Sequence, residues 1–109
     1  MLDKSQLTRD IILKNLSIGV CKVYFRKVTN GRYRSLYCSL NPNLLKSTSR
    51  KYLEQIFSPM IPDVDLLPVY DIIDKSWKSF RISTVLYFYT TEELKESQTE
   101  LLRIKELRQ

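Results

Sequence analysis

Between Val20 and Leu40, apolar and polar residues alternate on both sides of Asn30-Gly31. Asn-Gly is a strong hairpin signal, because a type I′ turn needs positive φ at both central residues. A two-residue loop there sets the register: Thr29 opposite Arg32, Tyr24 opposite Tyr37, Val23 opposite Cys38 and Cys21 opposite Leu40. Side chains alternate across a sheet, so one face should carry Cys21, Val23, Phe25, Leu36, Cys38 and Leu40, ending in Lys27 and Arg34 near the turn. The other should carry Lys22, Tyr24, Arg26, Val28, Tyr33, Ser35, Tyr37 and Ser39. The first pattern predicts a core. The second predicts a surface of tyrosines and cations.

The remaining pattern predicts short elements around this hairpin. Residues 3–16 read as a helix capped by Asp3 or Ser5, with Leu7, Ile11, Ile12 and Leu16 as its apolar stripe. Gly19 turns the chain into the hairpin, and Asn41-Pro42-Asn43 turns it out. Residues 47–57 read as a short helix burying Leu53, Ile56 and Phe57. The span 58–68 has three prolines and reads as a loop. Strands are expected at Val69–Ile73, Trp77–Ser83 and Thr84–Tyr89. On the second, Phe80 and Ile82 should face inward, and on the third Val85, Tyr87 and Tyr89 should share a face. A C-terminal helix is expected over 91–107, with Thr90 and Glu93 at capping-box spacing.

These elements make one domain, mainly β with flanking helices (α+β). An N-terminal helix (1–18) leads into a small five-stranded antiparallel barrel (19–89), closed or nearly so, with a helical insertion at 41–68. A C-terminal helix (90–109) follows. At 109 residues the chain is long enough for one modest core.

Charge sharpens the picture. The net charge of +6 is uneven. Residues 1–60 hold eleven Lys/Arg against three acids, whereas 61–109 hold seven against nine. The hairpin contributes five cations and no acid. Such asymmetry is the footprint of a polyanionic partner. No apolar run is long enough to span a membrane, and MLDKSQLTRD lacks a signal peptide's layout, so a cytoplasmic location is expected. Cys21 and Cys38, a diagonal pair on the core face, read as reduced core residues. With no histidine, neither a zinc site nor any other cofactor is expected.

The hairpin, the segment Cys38-Ser39-Leu40-Asn41-Pro42 and the run Val69-Tyr70-Asp71 followed by Trp77-Lys78-Ser79-Phe80-Arg81 resemble small tailed-phage accessory proteins with an Sm-like (SH3-like) barrel related to WYL domains. The resemblance covers about Val20 to Phe88. It implies a phage protein acting in the host bacterial cytoplasm and carries no catalytic signature. The tyrosine-rich strands and the C-terminal helix depart from it.

Tyrosines beside cations suit single-stranded nucleic acid, because aromatic rings stack on unpaired bases while cations hold phosphates. The candidate residues are Lys22, Tyr24, Arg26, Lys27, Arg32, Tyr33, Arg34, Tyr37 and Arg81, with Arg50 and Lys51 (and Lys46 beside them) extending a phosphate track. For the tyrosines the competing reading is cross-strand pairing that stabilises the sheet. For Trp77 it is packing beside the core, and for Arg81 an ion pair with Asp71 or Asp74. Asp63, Asp65, Asp71 and Asp74 fall in turns, where aspartate bonds to local backbone, so no enzyme is expected. The expectation is a non-enzymatic RNA-binding accessory protein, monomeric or homodimeric, that counters a host RNA-based defence or regulates transcripts. The alternative is an inhibitor or decoy that binds a host protein or ribonucleoprotein through the same basic, tyrosine-rich surface.

Overall fold

The hairpin is the centre of a five-stranded antiparallel sheet in strand order β4-β3-β2-β1-β5. The strands are β1 (Cys21–Arg26), β2 (Tyr33–Ser39), β3 (Leu66–Asp71), β4 (Ser76–Arg81) and β5 (Val85–Tyr89). Helices α1 (Arg9–Ile18) and α2 (Arg50–Ile56) flank it, and a third, α3, covers 91–96. The computed structural model describes residues 1–45, 50–58 and 60–96, without the side chains of Arg50 and Lys51.

The turn differs from the expected one. Gly31 takes φ 69°, but Asn30 does not have positive φ. Instead the Asn30 side chain accepts from Arg32 N at 3.0 Å, the local bond that makes asparagine a turn residue. Lys27 N donates to Arg32 O, and Gly31 N to Lys27 O. The loop is thus four residues, 28–31, and the register moves by two. Tyr24 opposes Ser35, Lys22 opposes Tyr37, and Cys21 opposes Cys38 directly. Because side chains alternate with period two, an even shift keeps the apolar residues on the core face. Val28 falls in the loop, and Ser39, expected on the surface, is instead fully buried against the end of helix α1. The core face survives the change of register.

That face carries the core. Cys21, Val23, Phe25, Leu36, Cys38 and Leu40 are buried with Leu67, Val69, Phe80, Val85 and Phe88. From α1 come Ile12, Leu13 and Leu16, and from α2 Ile56. Leu53 is only partly buried, and Ile11 and Phe57, expected inside, are exposed. On β5 the expected alternation fails. The pairing with β1 shifts between Tyr24 and Phe25, leaving Leu86 as an extra residue, so Val85 and Phe88 both reach the core. A β-bulge does this by letting two residues oppose one.

Helix α1 starts at Arg9, not near residue 3. Thr8 is its N-cap and accepts from Ile11 N, while Lys4–Gln6 form a separate 3-10 turn. Its C-terminal end is closed by the last residue of β2 and the two that follow it. The buried Ser39 hydroxyl lies 3.1 Å from Leu16 O and 3.0 Å from Gly19 O and accepts from Asn41 N. Leu40 N donates to Leu16 O, and the Asn41 amide donates to Ile18 O. Carbonyls left over at a helix end are thereby satisfied. Ser39-Leu40-Asn41 is therefore a helix-capping device. At α3, Thr90 and Glu93 make the anticipated capping box. The rest of the expected C-terminal helix lies outside the described residues.

The sheet is open. β3 begins at Leu66, earlier than expected, and pairs with β4 along its full length, but meets β2 only at Cys38–Asp71 and Ser39–Tyr70. The 3-10 turn Ile82–Thr84 links β4 to β5, which stand at opposite edges. With so short a seam between β2 and β3, the hairpin tip diverges from β3 and β4. The expected closure into a barrel is not reached. Among the described residues no helix is long and apolar enough to cross a membrane.

Candidate nucleic-acid interface

The face of β2-β1-β5 opposite the core presents tyrosine rings in two rows. In the first, Tyr24 of β1 stacks on Tyr33 of β2 (centroids 5.7 Å, planes 15° apart) and on Tyr87 of β5 (5.8 Å, 24°). In the second, the Lys22 ammonium lies 5.6 Å from the ring centre of Tyr37 and 5.8 Å from that of Tyr89. Strand alternation and pairing place these residues together: Tyr24 opposes Tyr87, and Lys22 opposes Tyr37 on one side and Tyr89 on the other. The outer rings are open, Tyr33 at 58%, Tyr87 at 44% and Tyr37 at 37% exposure, whereas Tyr24 in the middle is half-buried.

The geometry limits what this face can do. Adjacent rings in the first row are closer than two stacking steps of about 3.4 Å each, so no base fits between them. Bases can stack on the free sides of Tyr33 and Tyr87. Lys22 sits between two π faces, an arrangement that favours a cation electrostatically. Its charge is fixed at the middle of the face, within reach of a phosphate crossing it.

The structure does not unite all the expected residues. Lys22, Tyr24, Arg26, Tyr33 and Tyr37 share the open face. The directly opposed Tyr24–Tyr37 pair does not exist, since Tyr24 stacks diagonally with Tyr33 instead. Arg26 Nε donates to Gly31 O at 3.1 Å, which folds the side chain back on the turn. Arg32 is exposed beside the hairpin loop, where its carbonyl accepts from Lys27 N. Lys27, Arg34 and Arg81 line a cleft between the hairpin tip and β4. Arg50 and Lys51 belong to the first turn of α2; their side chains, and Lys46, lie outside the described residues.

Arg81 pairs with Asp63 at 3.0 Å and approaches Asp65 at 3.7 Å, not Asp71 or Asp74. The hydrogen bond and charge of Arg81 hold the Asp63 carboxyl below the usual carboxylate range. Asp65 also accepts from the backbone and hydroxyl of Ser83, and Asp71 from Ile73 N and Asp74 N. The aspartates thus serve local structure, and no group of metal ligands occurs among the described residues. Trp77 packs against Tyr70 and Tyr52.

Sequence reasoning missed Tyr87 and Tyr89 as members of the tyrosine face. Their shared parity was visible, but the pairing of β5 with β1, 60 residues away in the chain, was not. No protein-family model, curated protein or solved structure matches this chain.

Proposed function

We propose that this protein is a non-enzymatic module that binds single-stranded nucleic acid, RNA foremost, across the open face of β2-β1-β5. The observation that carries the reading is the Tyr33–Tyr24–Tyr87 row beside Lys22, itself held between Tyr37 and Tyr89. Stacked rings next to a fixed cation form a sequence-tolerant platform for unpaired bases and their phosphates. The strand order β4-β3-β2-β1-β5, with a 3-10 turn joining the edge strands, supports an Sm-like module whose edges remain apart. On this reading the protein is a phage accessory factor working in the host cytoplasm against an RNA-based defence or on transcripts.

A second reading, an inhibitor that docks on a host protein, gains from one observation. Among the described side chains, only Lys22 and Arg26 of the expected cations share the tyrosine face, and exposed tyrosines with few charges also make protein hot spots.

Titration of fluorescent single-stranded RNA and of duplex DNA at about 50 and 200 mM salt separates the two. Nucleic-acid binding predicts preference for the single strand, steep loss with salt, and about tenfold weaker binding in Tyr33→Ala and Tyr87→Ala. Absence of binding at micromolar protein in low salt would overturn it in favour of a protein partner.

A further inference from the structure

Five cations line the cleft at the hairpin tip, and no carboxylate does. It measures about 320 Å³ and opens where β2 parts from β3. Lys27 and Arg34 come from the hairpin and Lys78 and Arg81 from β4, with Ser79 and Thr84 also in the lining. Beneath sit the buried rings of Phe25 and Phe80, 5.6 Å apart. The fifth cation, Arg26, is engaged with Gly31 O.

The ion pairs offset only part of this charge. Lys78 meets Asp74 at 3.4 Å and Arg81 meets Asp63 and Asp65, but these acids lie outside the cleft lining. Lys27 and Arg34 have no ion pair among the described residues. A cleft lined by one sign of charge over an apolar floor focuses its field and concentrates anions there. A planar carboxylate is satisfied by one guanidinium fork, whereas a phosphate group offers oxygens in several directions. Arginine forks and lysine point charges arriving from the hairpin and from β4 suit the latter. The concave shape suits a single phosphate group more than a run of backbone.

We infer that this cleft is an oxyanion site for a phosphate monoester, built from Lys27, Arg34, Lys78 and Arg81 and separate from the tyrosine face. Two sources share that chemistry, a small phosphorylated molecule and the terminal phosphate of a nucleic-acid strand. Its location on the core side of the hairpin makes it independent of the aromatic platform, so either site can fail without the other.

The test is thermal melting of the full chain with inorganic phosphate at about 10 mM against chloride at equal ionic strength. A site of millimolar affinity raises Tm by about 5 °C. Arg34→Gln and Lys27→Ala should lose at least half of that shift, Asp63→Asn should enlarge it by relieving Arg81 of its partner, and Tyr33→Ala should leave it unchanged. An equal shift in Arg34→Gln and the wild type would mark a general salt effect and overturn the site, as would no shift at all. A nucleoside 5′-monophosphate and a 5′-phosphorylated tetranucleotide then distinguish the sources. Binding of either with the same Arg34 dependence supports the site, whereas equal binding of the unphosphorylated tetranucleotide overturns the preference for a monoester.

Discussion

The ring of Tyr24 lies nearly parallel to that of Tyr33, 15° from it and 5.7 Å away, and Tyr87 continues the row on its other side. Tyr24 therefore has two aromatic neighbours, and each outer ring has one. Tyr24→Ala should destabilise the fold by about 1–2 kcal/mol, more than Tyr33→Ala or Tyr87→Ala, because aromatic pairs contribute about 0.5–1.5 kcal/mol beyond burial. A double-mutant cycle on Tyr24 and Tyr33 by urea denaturation measures the coupling. A value near zero would remove the stack from the account of stability.

Ser39, the last residue of β2, is polar yet fully buried against the C-terminal end of α1. Ser39→Ala should cost about 1–3 kcal/mol, since it removes the one hydroxyl proton that Leu16 O and Gly19 O share and the acceptor of Asn41 N. Leu16 O keeps its bond from Leu40 N. Hydrogen exchange should quicken at the C-terminal turn of α1 before it does in the sheet.

Burial raises the Cys21 thiol to about 11 and pushes Cys38 up as well. In the unfolded chain both ionise near pH 8.5. The native state thus keeps protons that the unfolded state releases. The associated stability is full below about pH 8.5 and falls as pH rises towards 11, by about 1.4 kcal/mol per pH unit for each thiol. Urea melts between pH 7 and 10 should show this fall reduced in the Cys21→Ala/Cys38→Ala variant, and thiol reagents should be slow until the protein unfolds.

Arg9 ties three elements through its guanidinium, donating to Val64 O at 3.1 Å, Leu66 O at 3.0 Å and Ile56 O at 3.4 Å. Burial lowers its pKa from the ordinary arginine value, with Asp63 and Asp10 opposing. Lysine cannot reproduce the fork. Arg9→Lys should cost about 1–3 kcal/mol by denaturant titration, while RNA binding per folded molecule stays unchanged.

Gly31 at φ 69° is the one hairpin residue in the left-handed region, and an added Cβ would meet the Arg26 guanidinium at 3.2 Å. Gly31→Ala should destabilise by about 1–2 kcal/mol. Gly31→Asn should cost less, because asparagine tolerates this conformation. Equal losses would argue against the turn geometry.

Alternation along 20–40 determined which residues of β1 and β2 face the core, and it withstood a register error because a shift of two preserves the pleat. The capping signal at Thr90–Glu93 and the turn at Asn41 were equally local, and so were legible in the chain. The failures have one common cause. The four-residue loop depends on the Asn30 side chain choosing a backbone partner, and the bulge at Leu86 on how β5 meets β1. The joining of Tyr87 and Tyr89 to Lys22 and Tyr24, and the parting of Lys27, Arg34 and Arg81 from them, follow from strand order and from the short β2–β3 seam. Period and propensity act between near neighbours. Which face meets which strand is decided by contacts between residues far apart in the chain, and those exist only once it has folded.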